Sequence, residues 1–235
     1  MTLVRLIARR VVDTFRGGLC LWRVAPTIPL LAALPELIQH GLEWRLGMFA
    51  SRDAFRTLAN HPLRWDVGYF KVAAYFLAIL LAARFWGRKG KAVQTQVLWQ
   101  RLGLATVLMV GSALSVWPLQ GHIAEAVIEA VGLVSLAICL PLLLVVCGSL
   151  FGDTDMTFKR AFLSGWRRIP LMVALTALTV IGGQRIHRVD HLLAFGAPDG
   201  AVAALMVWDS FWVGCMACWI GTALAKGYAP LFPKR

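Results

Sequence analysis

Apolar residues fall in six long runs, at residues 20–39, 67–86, 97–117, 126–149, 167–184 and 201–224, separated by short basic segments. Each run approaches the roughly 20 residues that cross a hydrocarbon layer about 30 Å thick at about 1.5 Å per helical residue. The pattern predicts an all-α, polytopic membrane helical bundle of about six transmembrane helices with short interfacial helices. Ahead of the first run, Leu3, Ile7, Val11 and Phe15 share one helical face while Arg5, Arg9 and Arg16 lie largely off it. Residues 1–19 are therefore expected to form a cytoplasmic interfacial helix, residues 20–224 a single transmembrane bundle, and residues 225–235 a short basic cytoplasmic tail.

Two runs are irregular. The first holds Pro26, Pro29 and Pro35, which remove backbone donors and predict a kink or a broken segment. The fifth has a clean apolar core, IPLMVALTALTVIG, of only 14 residues, which needs Trp166 or the residues after Gly183 to cross the bilayer, with a re-entrant segment as the alternative. Between the first and second runs, Ser51 precedes a short helical pattern that Pro62 should interrupt, predicting a helix lying on the outer surface. Before the fifth run, Phe158, Phe162 and Trp166 at i, i+4 and i+8 predict an inner interfacial helix, with Asp153 or Asp155 as its N-cap.

Composition agrees with the pattern. Of 235 residues, 59% are hydrophobic and 15% charged, with a mean hydropathy of +0.68, whereas a soluble domain carries about 25% charged residues. The net charge of +12 is spread over the inter-run segments without an aromatic-studded basic surface, so no nucleic-acid partner is expected. No short apolar core with a small-residue cleavage site opens the chain, so no removed signal peptide is expected either. On the six-run scheme 17 Lys and Arg fall on one side and 7 on the other. Positive charge is retained in cytoplasmic loops, which places both termini in the cytoplasm of a plasma or bacterial inner membrane.

Charge placement also suggests chemistry. Glu36, His40 and Glu43 are spaced i, i+4 and i+7, and His122, Glu125 and Glu129 are spaced i, i+3 and i+7, so each set projects from one helix face. His187, Asp190 and His191 follow in a segment read as an outer loop. Imidazoles and carboxylates on a helical frame could bind Zn, Mn or Fe, with His40, Glu43, His122 and Glu125 as candidate ligands. Paired E-x-x-H helices and HExxH are both missing, so the expectation is no metal and no cofactor. Axial rise puts Glu129 about 10 Å into the fourth run and Asp209 about 12 Å into the sixth, in one layer. Lys71 and Glu36 could join them in an ion pair or polar path, because ions in hydrocarbon carry a penalty that pairing reduces.

Other features read as packing. Ser210, Gly214, Cys218, Gly221 and Ala225 share a narrow sector of the sixth run, a face suited to close helix approach, with Asp209 pointing elsewhere. Cys215-x-x-Cys218 lies deep in the same run, where thiolate chemistry is disfavoured, so both are expected to act as small hydrophobes. Gly111 and Ser115 give a second small-residue contact face in the third run.

Three functions fit these features. Packing faces and surface helices favour a non-catalytic membrane protein supporting an assembly, a partner protein or a homo-oligomer. A small permease or a lipid or solute transporter would use the carboxylate layer, and a membrane enzyme would use the outer His/Glu residues. A continuous polar cavity joining Glu36, Glu129 and Asp209 would favour the transporter, and a packed interior with an exposed groove formed by the two surface helices would favour the assembly role. Neither a substrate nor a reaction follows from the residues alone.

Overall fold

The computed structural model describes residues 3–88, 96–114 and 125–230, the side chains of Ala113 and Glu125 excepted. Among these residues the protein is all helical: α1 Leu3–Val24, α2 Thr27–Arg45, α3 Arg52–Leu58, α4 Pro62–Arg88, α5 Trp99–Leu114, α6 Glu125–Phe151, α7 Phe158–Ser164, α8 Ile169–Ala194 and α9 Asp199–Tyr228. Four helices, α4, α6, α8 and α9, are long and apolar enough to cross a membrane, and α1 with α2 makes a fifth crossing if the bent pair is one span. The protein is a multi-pass membrane helical bundle. Four or five spans, rather than six, stand among the described residues, because the described α5 has 16 residues and is about 24 Å long.

The break expected near Pro26 is present as an 87° bend between α1 and α2. Its position differs from the expected boundary, since α1 continues through residues 20–24. Pro26 takes the N-cap position of α2 with helical φ, and Pro35 remains inside the helix. Ser51 caps α3 as expected, its Oγ accepting from the Ala54 amide at 3.1 Å. Pro62 opens α4 instead of ending a surface helix, a position where its missing N–H costs nothing. α7 is capped by Thr157, whose Oγ1 accepts from the Arg160 amide at 3.2 Å. The two acids expected there are otherwise engaged: Asp153 accepts from the Tyr228 hydroxyl at 2.6 Å and from the Asp155 amide at 3.1 Å.

The fifth run is corrected more fully. α8 has 26 residues and passes through Gly182-Gly183 to Ala194, so His187, Asp190 and His191 lie on a helix and not in a loop. A mid-helix glycine costs about 1 kcal/mol, and Gly183 accepts that cost for proximity: a Cβ there would sit 2.7 Å from Met216 Cγ.

Two compact units are formed, one by residues 1–83 and 174–223 and the other by residues 84–173 and 224–235. In the first, α9 is the buried element. Ser210, Gly214, Cys218 and Gly221 are all buried. A Cβ on Gly214 would meet Trp22 and the Pro29 carbonyl, and one on Gly221 would overlap the Ile79 carbonyl of α4, so this face lets α9 approach its neighbours closely. Cys215 and Cys218 are free, buried thiols, and Trp22 Nε1 donates to Cys215 Sγ at 3.2 Å. Exposed Tyr69, Phe70, Val72, Phe76 and Leu77 of α4 supply an apolar surface suited to lipid. In the second unit α5 packs on α6, where Ser135 Oγ donates to the Ser112 carbonyl at 2.7 Å. Gly111 is not in that contact and faces open space; Ser115 lies outside the described residues.

Candidate functional site

The first unit carries charge in its interior. On α2, Glu36, Gln39, His40 and Glu43 follow the i, i+3, i+4, i+7 spacing of one helix face, and all four are buried. α9 brings Asp209, fully buried at 0% exposure, and α8 brings His187 and His191. α4 closes the group with Arg64 and Lys71, seven residues and so two turns apart.

Contacts run through this set continuously. His40 Nε2 lies 2.9 Å from Asp209 Oδ2 and 3.3 Å from Glu36 Oε1, while His40 Nδ1 lies 3.2 Å from Glu43 Oε2. Glu43 Oε1 accepts from Arg64 Nε at 2.8 Å and from Gln39 Nε2 at 2.9 Å. Lys71 Nζ donates to Glu36 Oε1 at 3.2 Å. His187 Nδ1 sits 2.8 Å from both oxygens of Asp209, and His191 Nε2 is 3.8 Å from Asp209 Oδ2. A neutral imidazole donates from one nitrogen only, and an ionised carboxylate only accepts. His40, with carboxylates at both nitrogens, therefore needs an imidazolium or a proton held by one of the acids. Four carboxyl groups, Glu36, Glu43, Asp209 and the buried Asp190 that hydrogen-bonds to Asp209, gather around two fixed cations, Arg64 and Lys71, so the centre can take further protons or positive charge.

Local chain geometry holds the rings in place. Gly47 at φ 77° and Gly196 at φ 73° adopt the left-handed region that glycine enters without a Cβ clash. The Gly196 amide donates to the Phe49 carbonyl at 2.8 Å, tying the turn after α2 to the connection between α8 and α9. Phe49 packs with Ala194, Val202 and Met206 and lies 6.1 Å from the His191 ring. His191 also stands edge-on to His187 at 4.8 Å and to His40 at 5.1 Å.

Beside the centre lies a cavity of about 480 Å³. Glu36, Glu43, His187 and His191 line it from within, Arg52, Arg56, Arg64, Lys71 and Arg188 supply cations, and Phe55, Leu192 and Phe195 supply apolar surface. A smaller cavity of about 160 Å³ shares Glu36, Lys71 and His187 with it and adds Tyr75, Gln184 and Met216. One ligand atom from each of Glu36, His187, His191 and Asp209 falls within 4.8 Å of the others. Two imidazoles and two carboxylates are a donor set for Zn or Mn. His40 and Lys71 would act behind it, orienting Asp209 and Glu36.

The structure thus brings together three of the four residues expected in a polar path, Glu36, Lys71 and Asp209. Glu129 is an exposed residue of α6 in the other unit and is not among the groups contacting Asp209. Of the metal candidates, His40 and Glu43 touch each other. His122 lies outside the described residues, and Glu125 opens α6 with its side chain outside them. The quartet placed for metal is a different one. His187 and His191 were missed as its members because their segment reads as a loop, although Ile186, Val189 and Leu193 at i, i+3 and i+7 mark an apolar helical face. Protein-family models, curated proteins and solved structures were compared with the chain, and none matches.

Proposed function

We propose that the protein is a metal-dependent membrane hydrolase acting on an anionic, partly apolar substrate. The observation carrying this reading is the convergence of Glu36, His187, His191 and Asp209 at a cavity that three of them line. His187, His191 and Asp209 supply three ligands, the number a catalytic zinc site uses when it keeps a position open for water. A metal held there would polarise a water for attack on an ester, and Glu36, on the cavity side and steadied by Lys71, would be the base that accepts the proton of that water and delivers it to the leaving oxygen. Arg52, Arg56 and Arg188, beyond the two cations tied to Glu43 and Glu36, favour an anionic substrate at the cavity, while Phe55, Leu192 and Phe195 accept an apolar portion. The reading is preferred to an assembly role because this buried ionisable group opens onto a cavity.

Metal titration of the protein in lipid nanodiscs tests the reading. One Zn or Mn per chain is expected, lost in His187→Ala and His191→Ala and retained in Glu36→Gln, which abolishes ester hydrolysis. Loading should fall at low pH, because ligands bind the metal deprotonated. Undiminished binding in both His variants would overturn the assignment.

A second reading is proton-coupled transport, favoured by the sharing of Glu36, Lys71 and His187 between the two cavities and by His40 standing between carboxylates. In that case Asp209→Asn abolishes coupled flux into vesicles at unchanged abundance.

A further inference from the structure

The second unit contains a cavity of its own, about 470 Å³ in volume. It lies where α7, the turn Gly165–Arg167 and the start of α8 meet the end of α9. Arg160, Ser164, Arg167 and Arg168 contribute its polar side chains, Met156 and Leu171 contribute apolar surface, and no carboxylate lines it among the described residues. The acids nearby are engaged elsewhere. Asp153 accepts from Tyr228, and Asp155 lies 3.5 Å from Arg160 at the exposed edge.

Arg168 is the informative residue. Its guanidinium carbon is 4.6 Å from the centroid of the Tyr228 ring, which fixes the plane of the group. Its Nη1 is buried and has no hydrogen-bond partner among the described residues. A buried guanidinium donor without an acceptor costs more than an ordinary unmade hydrogen bond, and a phosphate oxygen is the acceptor that a guanidinium fork matches best. The depth of the cavity comes from the same segment. Phe162, Leu163 and Trp166 are exposed at 37%, 73% and 44%, and Trp166 Nε1 donates to the Phe162 carbonyl at 2.8 Å. An amphipathic segment presenting an indole and a leucine outward lies at the boundary of hydrocarbon and headgroups.

We propose that this cavity binds the phosphate of an anionic lipid headgroup, with Arg168 as the inner contact and Arg160 and Arg167 at the rim. The site is independent of the hydrolase reading. Free phosphate shares the recognised chemistry, so the test separates the two sources.

Native mass spectrometry of the full chain, released from nanodiscs of phosphatidylcholine with and without phosphatidylglycerol, reads lipid retention directly. The expected result is one retained phosphatidylglycerol per chain in preference to phosphatidylcholine. Arg168→Gln should reduce that retention about tenfold, and Arg168→Lys should reduce it less, because a lysine keeps the charge but not the fork. Ser164→Glu changes an exposed position and places a carboxylate at the cavity, so it should expel the anionic lipid even if Arg168→Gln fails to fold. Equal retention of the two lipids would overturn the proposal. So would Arg168-dependent binding of inorganic phosphate in phosphatidylcholine nanodiscs without any preference for phosphatidylglycerol.

Discussion

Two cavities of nearly equal volume, about 480 and 470 Å³, both carry arginines and yet differ in what stands behind them. In the first, cations are tied to buried acids, Arg64 to Glu43 at 2.8 Å and Lys71 to Glu36 at 3.2 Å, and imidazoles fill the space between. In the second, Arg160 has Asp155 beside it at the exposed edge, and the buried Nη1 of Arg168 has no hydrogen-bond partner among the described residues. Counting basic residues makes the two sites look alike. The difference lies in compensation: a cation already paired inside the protein positions a reacting group, whereas one left without an anion is free to recognise a ligand. Charge per cavity therefore says little until its partners are known.

The sharpest way to break this contrast is Asp209→Leu. Removing the carboxylate strands His40 and His187 in a buried centre, and a loss of about 3–5 kcal/mol is expected on breaking a buried charge pair from one side. Thermal unfolding in nanodiscs measures it; a wild-type midpoint would mean that the centre is not held together by charge. Arg64→Met should cost about 2–3 kcal/mol, since Glu43 loses a charge-assisted hydrogen bond while remaining buried. Along the same helix as Asp209, Cys215→Ala with Cys218→Ala should cost about 1–2 kcal/mol and leave metal binding intact. A larger loss there would show that packing rather than charge dominates α9. Arg168→Met in the second cavity should change stability by about 1 kcal/mol or less, mainly through the Tyr228 ring, while lipid retention collapses. A loss in Arg168→Met equal to that in Arg64→Met would erase the distinction between paired and unpaired cations.

Much of the first cavity was legible in the sequence because its α2 residues repeat at helical spacing. Glu36, His40 and Glu43 needed only that period, and Asp209 stood out as an acid within an apolar run. Partners were harder. Axial rise gives the depth of a residue but not its direction around the bundle, so Glu129 and Asp209 could be assigned one layer while belonging to different units. The two histidines of α8 were hidden because the clean apolar core before them ends at Gly182-Gly183 and the polar segment beyond reads as a loop. The cost of the glycines is local, whereas the close contact of Gly183 with Met216 is between helices and has no signature in one segment. The cap of α7 was misplaced for a similar reason: Asp153 is drawn away by Tyr228, 75 residues later.

The contacts of the polar centre also differ in how far apart in the chain their members are made. Glu43 meets Arg64 across 21 residues and Glu36 meets Lys71 across 35, while His40 meets Asp209 across 169. At about 5–20 residues per second of synthesis, α2 waits roughly 8–34 s for α9. Over that interval the cations of α4 are already made and available to the acids of α2. Asp209 comes later, on α9, after the imidazoles of α2 and α8 have been made. Chain order thus offers the near pairs first and the distant pair after them.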